Sequence, residues 1–305
     1  MKNTFSREGD RIPTLSTASA AFFEHLRLLG RSESTVEAHR NGLNQFAKVW
    51  GDRDLRDVTE QDLEAYARAT LKRVARESAY LYLSGIRLFF RFLTESHQLL
   101  VDPSSGMPMP RMRERLTGRI LSLEEMKRLV ESPDLSKPVG LRDRAMLEFL
   151  YSTGLRVSEA RHVKVADLGN DSVTVRGGKG AKDRVVPIGI SALRWVRKYL
   201  AEARPGFASY RPGVEELWIS RWGRPFGKQI LPQHLRKLGK TGGIDGLTCH
   251  TIRRSMATHL LGAGASPAEV SGILGHSDLH SLSRYIQVAA REVKETHEKT
   301  HPREQ

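Results

Sequence analysis

The 305-residue sequence predicts a mainly α-helical protein with a small β-sheet, divided into a helical N-terminal domain and an α+β C-terminal domain. Three observations carry that expectation. Apolar residues recur at helical spacing through residues 13–99, with no strand pattern between them. Residues 102–118, rich in proline and turn formers, interrupt the pattern. Beyond them, one pair of alternating segments flanks a glycine-rich loop among further helices.

In order, Ala18, Phe22, Phe23, Leu26, Leu28 and Leu29 predict a first helix by their shared face. Ser32 starts a second, carrying Val36, Leu43, Phe46 and Val49, and Thr59 with Asp62 opens a third over 63–71. A fourth, over 77–96, repeats Tyr80, Leu83, Ile86, Phe89, Phe90 and Leu93. Pro103, Pro108 and Pro110, with Ser104, Ser105 and Gly106, then predict an extended linker leading into Arg111, Arg113 and Arg115. The boundaries are a helical domain over 1–106, a basic linker over 107–119 and a second domain over 120–305.

Ser122 and Glu125 form a capping box for the next helix. Another spans about 141–152 and ends at Gly154, and Arg156 opens the helix after it. Val173 and Val175, then Val185, Val186 and Ile188, predict a β-hairpin whose tip holds Gly177, Gly178, Lys179, Gly180 and Lys182. Residues 217–220 predict a further short strand. Ser266, Pro267 and Glu269 mark a helix start, and Gly275 its end, immediately before His276.

Composition narrows the function. The formal charge of +14 and a pI near 10.1 point to a polyanionic partner, and nucleic acid fits better than a membrane surface. No apolar run approaches the roughly 18 residues that span a bilayer, and residues 1–11 lack the apolar core of a secretory signal. A cytoplasmic, nucleoid-associated protein is expected. The one cysteine, Cys249, rules out an internal disulfide and is expected to be a small buried residue rather than a nucleophile.

The chemistry gathers in a run of cationic and imidazole residues that closes on a tyrosine: Arg156, Lys179, His250, Arg253, His276 and Tyr285. Cleaving a phosphodiester builds negative charge on phosphate oxygens, which fixed donors must neutralise. Arginine suits this through its planar, permanently charged fork. His250 and Arg253, three apart on a helix, share a face and can grip one phosphate, with Arg156 completing the clamp. Lys179 at a hairpin tip can protonate a leaving 5′-oxygen. Tyr285 is the candidate nucleophile, His250 its candidate base and His276 a phosphate donor. The Gly-Gly-Lys-Gly stretch lacks the Walker A spacing, so nucleotide binding is not expected.

At these residues the chain resembles the tyrosine recombinase (phage integrase) family, and most closely its Xer-like members. The resemblance rests on Thr-Gly-Leu-Arg-Val-Ser-Glu at 153–159, Gly-Lys-Gly-Ala-Lys-Asp-Arg at 178–184, His-Thr-Ile-Arg at 250–253, Leu-Gly-His-Ser-Asp at 274–278, and the helical start at 32–39. It implies a two-domain clamp on duplex DNA, made of a core-binding N-terminal domain and a catalytic domain. A synaptic tetramer, of this protein alone or with a second recombinase, would join two specific sites through a 3′-phosphotyrosine intermediate and a Holliday junction. The roles it implies are those above, with Glu159 supporting the site and no metal or other cofactor. Arg111, Arg113, Arg115, Lys182 and Arg254 are expected to meet DNA.

Arg254 stands where many members carry histidine, and Tyr285-Ile-Gln replaces a frequent Tyr-Thr-His. Chromosome-dimer resolution and a mobile-element role therefore both stay open. Two alternatives are a DNA-binding accessory protein with a dead site and a type IB topoisomerase-like relaxase. The presence of Arg253 and Tyr285 speaks against the first, and the compact helical N-terminal domain and Xer-like tail at His301 against the second.

Overall fold

The computed structural model describes residues 14–111, 118–177 and 183–275. The chain divides into two compact units, Met1–Glu114 and Arg115–Gln305.

The first unit is helical: α1 (Leu15–Leu28), α2 (Glu33–Trp50), α3 (Glu60–Arg73) and α4 (Arg76–Glu95). Thr14, Ser32 and Thr59 cap the first three, their hydroxyls accepting an amide hydrogen bond three residues on. The heptad-like spacing on α4 buries Leu83, Ile86, Phe89, Phe90 and Leu93 completely. Phe22 meets Phe89 edge-on, and Phe46 meets Tyr66 and Phe90 the same way.

Four residues assigned to the inner faces lie outside. Leu28, Leu29, Val49 and Tyr80 are exposed, and Trp50 takes the inward place expected of Val49. Leu28 and Leu29 sit at the end of α1, where the helical face runs out. Residues 102–107 also fold back instead of extending. Asp102 Oδ1 accepts the amide (2.8 Å) and hydroxyl (2.6 Å) of Ser104, and Met107 is buried in the helical core. Arg87 Nη2 holds the Met107 carbonyl at 2.6 Å.

The second unit begins with α5 (Leu123–Glu131), whose predicted Ser122–Glu125 capping box is present. Then come α6 (Pro138–Thr153), the short α7 (Val157–Ala160), β1 (Ser172–Val175), β2 (Arg184–Pro187), α8 (Ile190–Glu202), α9 (Arg204–Ala208), α10 (Ile230–Thr241), α11 (Cys249–Gly262) and α12 (Pro267–Leu274). The core forms around α6, which packs against α8 and α11 and is buried on most of its circumference, the ion pair of Arg142 and Asp143 included. Trp218 is fully buried between Tyr199 and Phe149.

The hairpin forms as expected, antiparallel with Ser172 opposite Pro187 and Val175 opposite Arg184. Val173, Val175 and Val186 point inward, and Val185 outward. The strand expected at 217–220 does not form. The segment is buried but bends at residues 217 and 218 and makes only isolated bridges, Lys164 with Glu216 and Ile219 with Pro225. The Ser220 amide donates to the Arg224 carbonyl (2.8 Å) and the Phe226 amide to the Trp218 carbonyl (3.4 Å), one on each side of the second bridge.

Polar contacts fasten the start of this unit to α11. The Leu121 amide donates to Ser255 Oγ (2.8 Å), and the Leu121 carbonyl lies 2.9 Å from His259 Nε2. With that nitrogen protonated, His259 Nδ1 accepts from the Tyr151 hydroxyl at 2.7 Å.

Candidate active site

Gly154 ends α6 in the left-handed conformation (φ 58°), which turns the chain sharply toward α7. Arg156 occupies the cap position of α7, and Glu159, three residues on, reaches back to accept its amide at 2.8 Å. Arg156 Nη1 also donates to Glu159 Oε1 at 2.9 Å. The same carboxylate takes the fork of Arg184 end-on, Nη1 to Oε1 and Nη2 to Oε2, each at 2.9 Å. Burial pushes the Glu159 pKa up. The hydrogen bonds and charges of Arg184 and Arg156 outweigh that and bring it down to about 2. Two arginines thus share one carboxylate, and the cluster keeps a positive excess.

His250 and Arg253 stand on the first turns of α11, whose Thr248 cap accepts the Thr251 amide. Arg253 is buried, with Nη1 donating to the Gly154 carbonyl (2.6 Å) and Nη2 to the Leu274 carbonyl (2.7 Å). It therefore ties the start of α11 to the ends of α6 and α12. His250 is exposed on the same helix. The crowding of the surrounding chain, then the charges of Arg254, Arg253 and Arg156, lower its pKa below 6.5, so the imidazole is neutral at pH 7. Three arginines from two helix starts therefore bear on one neutral imidazole. That set can bind an oxyanion and accept a proton beside it.

Of the expected DNA contacts, Arg111 is exposed and Arg254 half-buried beside Gly118. Arg113, Arg115, Lys179, Lys182, His276 and Tyr285 lie outside the described residues. The described chain does fix where some of their segments begin. The Val175–Arg184 pair closes the loop that contains Lys179 and Lys182, and the Gly177 amide donates to Asp183 Oδ1 at 2.9 Å. Gly275, left-handed at φ 62°, caps α12 one residue before His276.

Cys249 is buried against the Leu155 carbonyl, and its thiol pKa is pushed up to about 12 by burial. Among the described residues no cluster of His, Cys, Asp or Glu is arranged to hold a metal ion. Sequence reasoning included Arg184 in the 178–184 motif but gave it no role. A buried carboxylate at the third position of α7 needs cations around it, and that need was the available signal.

Comparison with known proteins follows the same division. Residues 119–292 match the family described as "Phage integrase family", and residues 20–97 match "Phage integrase, N-terminal SAM-like domain". The chain is similar to tyrosine recombinase XerC 2 of Ralstonia nicotianae, 35% identical over 297 residues that cover 92% of this chain and 84% of that protein. It is also similar to tyrosine recombinase XerD of Shewanella oneidensis, 34% identical over 279 residues, with coverages of 90% and 92%. The fold matches that of a lambda integrase tetramer bound to a Holliday junction, with a TM-score of 0.69 at 19% identity, over 88% of this chain and 76% of that one.

Proposed function

Because the chain belongs to the phage integrase family of tyrosine recombinases, we propose that it recombines DNA site-specifically, cleaving and rejoining duplex strands at Tyr285. The observation that carries this reading is the joining of the starts of α7 and α11: Arg253 donates to the Gly154 carbonyl, two residues before the Glu159-held Arg156, and His250 stands one turn before Arg253 with its pKa lowered. Such a centre suits a phosphodiester, because it supplies fixed positive charge together with a base.

The Tyr285 hydroxyl gives its proton to His250, and its oxygen attacks phosphorus. The bond to the 5′-oxygen breaks, leaving a 3′-phosphotyrosine, and Lys179 protonates the departing 5′-oxygen, which is released as a hydroxyl. Arg156, Arg253 and His276 neutralise the phosphate oxygens while charge builds. Attack by a partner strand's 5′-hydroxyl reverses these steps and frees Tyr285. The diester's bond energy stays in the phosphotyrosine link, so rejoining needs no nucleotide. Glu159 holds Arg156 at the start of α7, and it stays ionised throughout.

Duplex DNA is the partner. Arg111, Arg113, Arg115, Lys182 and Arg254 contact its backbone, and a tetramer assembles on two sites, as the relative bound to a Holliday junction does. No helix among the described residues is long and apolar enough to cross a membrane. A cytoplasmic place beside the nucleoid accords with that and with a DNA substrate.

The test is a nicked duplex carrying the site that the protein selects from a random pool. Wild type should give an SDS-stable protein–DNA adduct, and Tyr285→Phe none. An adduct that persists in Tyr285→Phe would reassign the nucleophile.

A further inference from the structure

We propose that Arg184 is a positioning residue for strand cleavage, joining the Arg156 fork, the hairpin that bears Lys179 and the glycine turn that leads to His276. This rests on the reading of those three residues given above. Three contacts meet at Arg184. Its fork makes two parallel 2.9 Å hydrogen bonds to Glu159, the same carboxylate that holds Arg156 by main chain and side chain. As the first residue of β2, paired with Val175, it also closes the loop that contains Lys179. Its third contact is with Gly275. A Cβ there would stand 2.7 Å from Arg184 Nε and 2.9 Å from its Cδ and Cζ, so the bare glycine admits the guanidinium.

Gly275 is fixed from the other side as well, since Arg253 Nη2 holds the neighbouring Leu274 carbonyl at 2.7 Å. The turn before His276 is therefore gripped between two arginines, and the mostly buried Arg184 also reaches α7. Charge adds a second role. With Arg184 present, Glu159 is shared between two cations; without it, the full carboxylate charge would fall on Arg156 and weaken that residue's hold on phosphate. Lysine would keep the charge but lose the planar fork that spans both carboxylate oxygens.

The experiment compares wild type, Arg184→Gln, Arg184→Lys and Gly275→Ala on the nicked duplex, under single-turnover conditions at saturating protein. Site affinity is measured separately by mobility shift. Both arginine variants should form adduct about 10²-fold more slowly with site affinity retained, and Gly275→Ala should follow them. Arg184→Gln added to Glu159→Gln should cost less than it does alone. Wild-type adduct rates in Arg184→Gln overturn the proposal. So does full rescue by Arg184→Lys, which would reduce the residue's role to charge alone, or equal loss of affinity and rate. If Arg184→Gln does not fold, Arg184→Lys and Gly275→Ala decide the matter through the same split between rate and affinity. A wild type that forms no adduct refutes the recombinase reading instead, so the two failures are distinct.

Discussion

Arg253 Nη1 and the Gly154 carbonyl meet in a buried 2.6 Å hydrogen bond, which makes a residue expected to grip phosphate also a clasp between helix ends. Its other nitrogen, on the Leu274 carbonyl, completes the clasp. Arg253→Ala should therefore lose stability as well as cleavage. Each carbonyl left unmet in the interior costs about 1–3 kcal/mol. Denaturant unfolding should show a lower midpoint than wild type, and an unchanged midpoint would contradict the clasp.

Glu159 gives a pH signature. Its pKa is depressed from 4.5 to about 2, so the native state binds fewer protons than the unfolded chain in that range. The stabilisation, on the order of 3 kcal/mol, is fully present above pH 4.5 and is lost as pH falls toward 2. Unfolding titrations of wild type and Glu159→Gln should differ most at neutral pH and converge in acid.

His250 acts in the opposite part of the scale. The proposed base must be neutral, and its pKa lies below 6.5. Adduct formation should be flat around pH 7 and fall only on the acid side of 6.5. In His250→Ala that acid limb should vanish, with a rate about 10²–10⁴-fold lower. A limb that survives the substitution would move the base elsewhere.

Cys249 should be inert. With its thiol buried and its pKa pushed up to about 12, almost no thiolate exists at pH 7. Mass spectrometry after alkylation should find it labelled in denaturant but not in the native protein.

Affinity for the selected site should fall steeply with salt, as counterions are released from the phosphates. Arg254→Ala should reduce the slope of log affinity against log salt by about one. A slope equal to wild type would remove Arg254 from the phosphate contacts.

How much of this could be read in the sequence varies with the physics involved. Ser32, Thr59, Ser122 and Ser266 announce helix starts because capping acts over three residues. The aromatic face of α4 is equally plain, since period alone sets it. The exchange of Val49 for Trp50 is a drift of one position that only packing decides. Residues 217–220 look like a strand locally, but their neighbours meet them only in isolated bridges. At the site, Arg156, His250 and Arg253 stand out because their residue types suit phosphate. The joining of Glu159 to Arg184 spans 25 residues and depends on tertiary placement. For the same reason, nothing near Arg253 in the chain foretold that its donors would meet the carbonyls of residues 154 and 274.

The fastening of Leu121 to Ser255 and His259 also bears on how the protein is made. The buried residues of the first unit's core, from Leu15 to Met107, have all been synthesised well before α11 exists. The opening of the second unit, by contrast, must wait for partners 134 and 138 residues downstream. During translation the helical unit can therefore close as it leaves the ribosome, whereas α5 and α6 emerge with their apolar faces uncovered. For that interval the second unit is open to chaperones and proteases, and its arginines can form no cleavage site until α11 has been made.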